Sequence, residues 1–454
     1  MTEQKKLTGN LGVLVSNRAW KGITNNNPHY RLEKLSEANE YVNFNMFFFS
    51  INTVDIQKQL ITGYYFDFTN NLWEKDTFPY PDVLYRRGGA SKKYRNKYLT
   101  FIEQCNEKKT VCLNPSSLGN WDIYNYFGTL KPLKSFLLDT ILYEGPEDLF
   151  DMMKKHQTIY LKGVTGRKGQ NVVRVEHLPG DKYLCKHFDY IQDEIHSKSY
   201  EKLDEMIPFI DKFYKGKKFM IQEAIDLLEV NNRRIDLRAE LQRNKKKGIE
   251  ISGISARVSQ ENSPITIHSH AFPVGELFDW INLSPKEKLR MQQRIETFLY
   301  KIYTETEFKY GEFGEIGIDF GLTKDLEIKF IECNSQSAKV SLLKAYGENT
   351  VKQTMVNILL YAKDKLEETG WEGESNQSVE AVVSEESNKP EEAIVSEESN
   401  QHVKEALHNS QSEWELRKNV KRNKLIQKKK IKYKRPRKLG NSVSTHGFWF
   451  VKAT

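Results

Sequence analysis

Ile316-Gly-Ile-Asp-Phe-Gly-Leu322, then Leu326-Glu-Ile-Lys-Phe-Ile-Glu-Cys-Asn334, is the stretch on which the fold class turns. The first half alternates large apolar residues with small or polar ones, and the second is rich in β-formers. This is the period-two pattern of strands, and a polar turn near Lys324-Asp325 joins them as a hairpin. Asp319 lies inside an otherwise apolar strand, where a carboxylate needs a partner. Glu332 and Asn334, two residues apart, face the same way. Two carboxylates and one amide oxygen suit Mg2+, a hard cation that also accepts phosphate oxygens. Asp319, Glu332 and Asn334 are therefore the expected metal set; the plainer alternative is a solvated strand end with unrelated acids.

Working outward, residues 235–242 and 249–258 read as a second hairpin across a Lys-rich turn. Asp236 and Arg238 share one strand face, and Arg257 ends the next strand. Two arginines on one hairpin can clamp a phosphate or acyl-phosphate, or one can pair with Asp236 structurally. Farther upstream, the strand 158–162 ends in Lys162. It runs into Gly163-Val-Thr-Gly-Arg-Lys-Gly169 and a second strand from Asn171. Glycines such as Gly166 and Gly169 let backbone N–H groups approach phosphate oxygens, and Lys162, Arg167 and Lys168 add charge. There is no GxxxxGK[ST] and no helix directly after the loop, so it is not a Walker loop. A β-hairpin with a basic turn is the plain reading.

The body is an alternation of α and β elements. Helices are expected over 53–61, 91–104, 116–127, 146–156, 202–214, 284–304 and 342–367. Ser284 and Pro285 mark one start and Pro146 another. The 454 residues contain 38% hydrophobic and 12% aromatic side chains, enough for several cores. No apolar run reaches the ~18–20 residues of a membrane span, and Leu11–Val15 is too short for the core of a signal peptide. Cys105, Cys112, Cys185 and Cys333 show no zinc spacing, which suits a reducing compartment. The expected location is cytoplasmic.

Of the net +8 only +2 falls beyond residue 366, but that is where the charges segregate by sign. Residues 367–415 carry fourteen acids and two bases, and residues 417–438 thirteen bases and no acid. Val383-Ser-Glu-Glu-Ser-Asn388 recurs as Val395-Ser-Glu-Glu-Ser-Asn400. So few apolar residues cannot offset the entropy of ordering, so a disordered tail is expected. Its basic block can dock on an acidic surface, and sequence-specific DNA binding is not expected.

Together the motifs resemble the ATP-grasp superfamily, and within it the YheC/YheD family of endospore coat-associated proteins. The resemblance runs in order through Leu11-Gly-Val-Leu, Asp82-Val-Leu-Tyr-Arg-Arg87, Leu161-Lys162 and Ile221-Gln-Glu-Ala-Ile225. Asp236-Leu-Arg238, Ala256-Arg257, Gly317-Ile-Asp319 and Ile331-Glu-Cys-Asn-Ser335 complete it. It implies an α/β (α+β) chain: a small α/β domain over 1–115, an ATP-grasp domain over 116–366, an acidic linker over 367–415 and a basic tail over 416–454. It implies that Lys162 touches nucleotide phosphates, that Gln222, Glu223 and Ile225 line an adenine pocket, and that Asp319, Glu332 and Asn334 hold Mg2+. Phe219-Met-Ile221 offers the apolar wall of that pocket. Arg238 and Arg257 then face the reacting phosphate as catalytic residues.

The implied activity is ATP-dependent ligation of an unknown carboxylate to an amine, or to a thiol, through an acyl-phosphate, with a spore-coat association. The other class of reading is a degenerate ATP-grasp fold acting as a binding or structural coat protein. Departures from the family pattern bear on this choice. Asn120 stands before Trp121 where a lysine is usual, and Lys162 precedes Gly163 rather than proline. Residues 265–275 contain one glycine, and Gln336-Ser337 replaces a basic residue and proline.

Overall fold

In the computed structural model the described residues are 8–164, 171–189, 191–230, 233–246, 248–260, 263 and 270–371. The glycines Gly166 and Gly169, with Arg167 and Lys168, and the acidic and basic tail segments beyond residue 371 lie outside them.

Three sheets follow one another along the chain. The first holds β1 (Asn10–Leu14), β2 (Asn45–Phe49), β3 (Val54–Asp55), β4 (Leu60–Asp67), β5 (Leu72–Pro79), β6 (Val83–Arg86) and β7 (Val111–Leu113). Their order is β3-β4-β2-β1-β6-β7, with β5 paired to β4. The β1, β2, β6 and β7 strands are parallel, as their intervening helices α1 (Asn17–Thr24), α2 (Tyr30–Asn39) and α3 (Arg95–Glu107) require. Residues 53–61, expected as a helix, instead form a tight reversal between β3 and β4. The Asp55 carboxylate accepts from Gln57 N and Lys58 N, and Gln59 is left-handed, so Val54 folds back on Ile61.

The second sheet comprises β8 (Thr140–Leu142), β9 (Thr158–Gly163), β10 (Val172–Leu178), β11 (Lys182–Asp189), β12 (Glu194–Tyr200) and β13 (Phe219–Glu223), ordered β12-β11-β10-β9-β13-β8. Ile159, Leu161, Val173, Val175 and Ile221 form its apolar face. They pack with Leu149 and Met152 of α5 (Pro146–Lys155) and with Ile210 and Tyr214 of α6 (Ile207–Tyr214). Strand periodicity then turns Tyr160, Lys162, Arg174, Lys186 and Gln222 to the opposite face.

The third sheet comprises β14 (Glu229–Val230), β15 (Arg233–Arg243), β16 (Ile249–Val258), β17 (His270–Pro273), β18 (Glu315–Leu322) and β19 (Ile328–Asn334). Its order is β17-β16-β15-β18-β19, with β14 beside β15. Ile235, Leu237, Ala239 and Leu241 on β15 and Ile316, Ile318 and Phe320 on β18 form one core with Met291, Ile295, Phe298 and Ile302 of α8 (Pro285–Tyr310). The same core takes Tyr124 and Phe127 of α4 (Asn120–Gly128) and Leu277 of α7 (Val274–Trp280). The α8 helix starts where expected: Ser284 accepts from Glu287 N while the Glu287 carboxylate accepts from Ser284 N at 2.8 Å.

The last helix, α9 (Val340–Glu367), breaks at Gly347, whose φ of 79° no helical residue adopts. Leu342, Val351, Met355, Ile358, Leu359 and Leu366 pack with Leu11, Val13, Phe48 and Val83 of the first sheet. Gly253 on β16 lets Leu342 and Tyr346 approach so closely that a Cβ would meet them at 2.6 and 3.0 Å. Thus α9 fastens the first sheet to the third. Among the described residues, no helix is long and apolar enough to cross a membrane.

Candidate functional site

The polar face of the third sheet follows from the phase of β15. With Ile235, Leu237, Ala239 and Leu241 in the core, Asp236, Arg238, Glu240 and Gln242 must share the other side. Asp236 pairs in register with Arg257 on β16, and Arg238 with Asp319 on β18. Asp319 in turn lies opposite Glu332 on β19, and a bulge after Asp319 sets the phase of Glu332 and Asn334. The result is a row of charge across four strands.

Two forks hold it. Arg257 donates from Nε and Nη2 to Asp236 at 2.6 and 2.8 Å. Arg238 donates to both oxygens of Asp319, Nη2 to Oδ2 at 2.6 Å, and Arg257 Nη2 reaches Asp319 at 3.2 Å. The arginine expected to pair with Asp236 is therefore Arg257, while Arg238 serves Asp319. Burial opposes the charge on Asp319, but Arg238 and Arg257 outweigh it and hold that carboxyl far below its usual range. Glu332 moves the other way: burial, then the neighbouring Asp319, pushes its carboxyl up. Gly317, which faces Arg238, leaves room for the guanidinium.

Lys162 comes from the other sheet. Its Nζ donates to Gln222 Oε1 at 2.6 Å, and the Gln222 amide donates to Thr140 Oγ1 at 3.0 Å. Burial lowers the Lys162 pKa, and the fields of Glu332, Asp319 and Asp236 partly restore it. Tyr160, on the same face of β9, accepts from Arg234 of β15 at 2.9 Å, so this face of the second sheet meets the third sheet near the carboxylate corner. Lys162, Arg238, Arg257, Asp319, Glu332 and Asn334 are thus brought together.

The expected adenine-side residues separate. Gln222 points to Lys162. Glu223 turns away and lies 3.3 Å from His156, which itself contacts Asp139 at 2.8 Å. Glu223 N and Ala224 N bond the carbonyls of Asp139 and Thr158. Ile225 packs over Gly321 at the crossing between sheets. Phe219 and Ile221 lie in the α5–α6 core, so Met220 is the residue of that trio on the cleft face.

The donor set fits a divalent cation. Asp319, which is buried, and Glu332, which is half-buried, are carboxylates directly opposed across two strands, and like charges so placed are relieved by a cation between them. Asn334 donates its amide nitrogen to Glu332 at 3.0 Å, which leaves the amide oxygen as a third ligand. Among the described residues no cluster of three His, Cys, Asp or Glu side chains is placed for a metal, so Asn334 is essential to this set.

Sequence reasoning did not single out the contacts that hold this corner to the first sheet. Asn114, after β7, donates to the Ser335 carbonyl at 2.7 Å and accepts from Gly314 N and Glu315 N. Arg31 of α2 donates to the Ser337 carbonyl at 2.9 Å, and Tyr30 to that of Ala338 at 2.9 Å. Arg87 pairs with Glu315, whose other oxygen is 3.0 Å from Lys339. The turn after Asn334 is clamped from three elements of the first sheet. The isolated Arg86-Arg87 pair at a strand end was the available signal.

The sequence model of the YheC/D like ATP-grasp family matches residues 109–364. Endospore coat-associated protein YheD of Bacillus subtilis (strain 168) is 22% identical over 312 residues, which cover 67% of this chain and 67% of that protein. Among solved structures, D-alanyl-alanine synthetase A from Vibrio cholerae O1 biovar eltor superposes with a TM-score of 0.45 at 11% identity, over 79% of this chain and 99% of that one. VanG D-Ala:D-Ser ligase from Enterococcus faecalis gives 0.46 at 9% identity, over 80% of this chain and 99% of that one.

Proposed function

Since the chain belongs to the YheC/D-like ATP-grasp family, we propose that it binds Mg2+-ATP between its second and third sheets and ligates a carboxylate to an amine. One observation supports this reading: Lys162 shares the cleft face of β9 with Tyr160, whose hydroxyl accepts from Arg234 of the third sheet at 2.9 Å, and on that third sheet Arg238 forks onto Asp319, which Arg257 also reaches. Lys162 would neutralise nucleotide phosphate, and Gln222 holds its ammonium in place. Arg238 and Arg257, forked on Asp319 and Asp236, keep guanidinium donors fixed beside the reacting phosphoryl group. Mg2+, bound by Asp319, Glu332 and Asn334, would supply charge neutralisation across the phosphates.

In the reaction, a substrate carboxylate oxygen attacks the γ-phosphorus and ADP leaves. The amine nitrogen then attacks the acyl carbon, phosphate leaves, and the amine gives up a proton. The protein makes no covalent bond in this scheme, so positioned charge carries the rate. The test is phosphate release from ATP across a panel of carboxylates paired with amines. Phosphate release that requires both partners supports ligation.

A second reading, nucleotide binding without turnover in a coat-associated protein, is favoured by the Arg238–Asp319 fork, which occupies both carboxylate oxygens. The association itself rests on the name of the YheD relative. The basic block at 417–438 is proposed to bind an acidic surface, which salt would weaken.

A further inference from the structure

A second group of charges on the cleft face of the second sheet has no part in that reaction. Arg174 on β10 and Lys186 on β11 are direct cross-strand partners and project from one face. On its other side Arg174 is paired with Tyr160 of β9. Arg234, at the start of β15, reaches across from the third sheet. Its Nη1 donates to the Tyr160 hydroxyl at 2.9 Å and its Nη2 to the Ser263 carbonyl at 3.0 Å.

Three cations thus converge, and among the described residues one carboxylate touches them. Glu176 is ion-paired with Arg174 and lies 3.3 Å from Lys186. Glu229, exposed on β14, acts on Arg174 only through its field. Burial lowers the pKa of Lys186, and Arg174 and Arg234 lower it further. Arg174 is lowered first by burial and again by Arg234, against the pull of Tyr160 and Glu229. The Arg174 Nε is buried and has no hydrogen-bond partner among the described residues. A buried donor without an acceptor is costly, so the site favours an added anion. The side chains of Arg174, Lys186 and Glu176 remain 16%, 17% and 19% exposed, so the cluster opens toward the cleft.

Among the described residues, three cations against one contacting carboxylate leave an excess of two positive charges. A phosphoryl group carries about −1.5 to −2 at neutral pH and offers three acceptor oxygens. We propose that Arg174, Lys186 and Arg234 form an anion subsite for a phosphoryl group, apart from the corner of Lys162, Asp319 and Glu332. The phosphoryl group belongs either to the nucleotide or to a second, phosphorylated ligand. The inference shares its cleft with the nucleotide reading but does not need that reading to hold.

The experiment titrates the full chain with inorganic phosphate by calorimetry. Wild type is expected to bind it saturably. Lys186→Gln should weaken binding about tenfold, the value of one charge-assisted contact. Glu176→Gln should tighten it, because the competing carboxylate is gone, and misfolding cannot produce a gain. Repeating the titration with a saturating non-hydrolysable ATP analogue and Mg2+ separates the sources. Loss of phosphate binding assigns the subsite to the nucleotide, and retention assigns it to a second ligand. If wild type binds phosphate in this pattern but not Mg2+-ATP, the nucleotide reading falls and the subsite stands. No phosphate binding, or equal affinity in wild type, Lys186→Gln and Glu176→Gln, overturns the subsite.

Discussion

Arg238 on β15 and Asp319 on β18 are cross-strand partners whose guanidinium and carboxylate meet fork to fork, with Nη2 donating to Oδ2 at 2.6 Å. Asp319 is therefore kept ionised by arginine before any cation arrives. Asp319 would hold a cation through the lone pairs this fork leaves open, beside guanidinium groups already fixed next to it.

That relationship separates two carboxylates of the same set. Asp319→Asn leaves the Arg238 guanidinium beside a neutral amide, while Arg257 keeps its fork on Asp236; breaking a buried pair costs about 3–5 kcal/mol. Glu332→Gln removes a carboxylate that burial and Asp319 already disfavour, so its stability should stay near that of wild type. Both should lose the Mg2+-dependent part of nucleotide affinity. Denaturant unfolding and ATP titrations with and without Mg2+ report the two effects separately. Equal destabilisation by both changes would contradict the division of roles.

Lys162→Met keeps the length of the side chain and removes its charge. A hydrogen bond to a charged phosphate contributes about 1.5–3 kcal/mol, so ATP affinity should fall roughly ten- to a hundredfold. Wild-type affinity in this variant would take Lys162 out of the nucleotide site.

The face-sharing of this corner was legible in the sequence because strands repeat every two residues. Asp236 with Arg238, and Glu332 with Asn334, needed only their spacing. Which arginine pairs with which acid was not, since the register of β15 against β16 and β18 decides it. The adenine wall was misjudged for a related reason. Phe219 and Ile221 are as apolar as a nucleotide slot, but α5 and α6 cover that face of β13. The β11–β12 hairpin escaped notice because each of its faces mixes polar and apolar residues, with Leu184, Phe188 and Ile195 sharing a face with Lys186 and Ser197. Residues 53–61 misled through apolar spacing, and the Asp55 turn determined their shape. The clamp by Arg31, Arg87 and Asn114 joins residues more than 200 positions apart, beyond any local pattern.

Lys339, buried in a left-handed turn at the start of α9, faces Glu315 and Glu240 and the like charges Arg87 and Arg31. Burial lowers its pKa from 10.5 to about 8. Between those values the unfolded chain holds the proton and the folded chain does not, so this group makes stability rise with pH. The full contribution is on the order of 3 kcal/mol. Wild type should gain stability relative to Lys339→Met as the pH is raised from 8 to 10. A constant difference across that range would place the lysine in a wetter setting than the structure gives it.

Gly88 follows Arg87, and a Cβ there would fall on the backbone of Val15 and Ser16. Backbone cannot move aside as a side chain tip can. Gly88→Ala should therefore lose about 1–3 kcal/mol in thermal or denaturant unfolding, and it should disturb the Arg87 pair with Glu315. Unchanged stability would mean that the loop after β6 stands farther from β1.

The central claim is that Lys162 and the Asp319–Glu332–Asn334 corner form one Mg2+-nucleotide site. Calorimetric titration of the full chain with ATP, in Mg2+ and again in EDTA, tests it most directly. The account predicts one saturable site that weakens at least about tenfold without the cation, equivalent to ~1.4 kcal/mol. Absence of binding, or equal affinity in Mg2+ and EDTA, would contradict it.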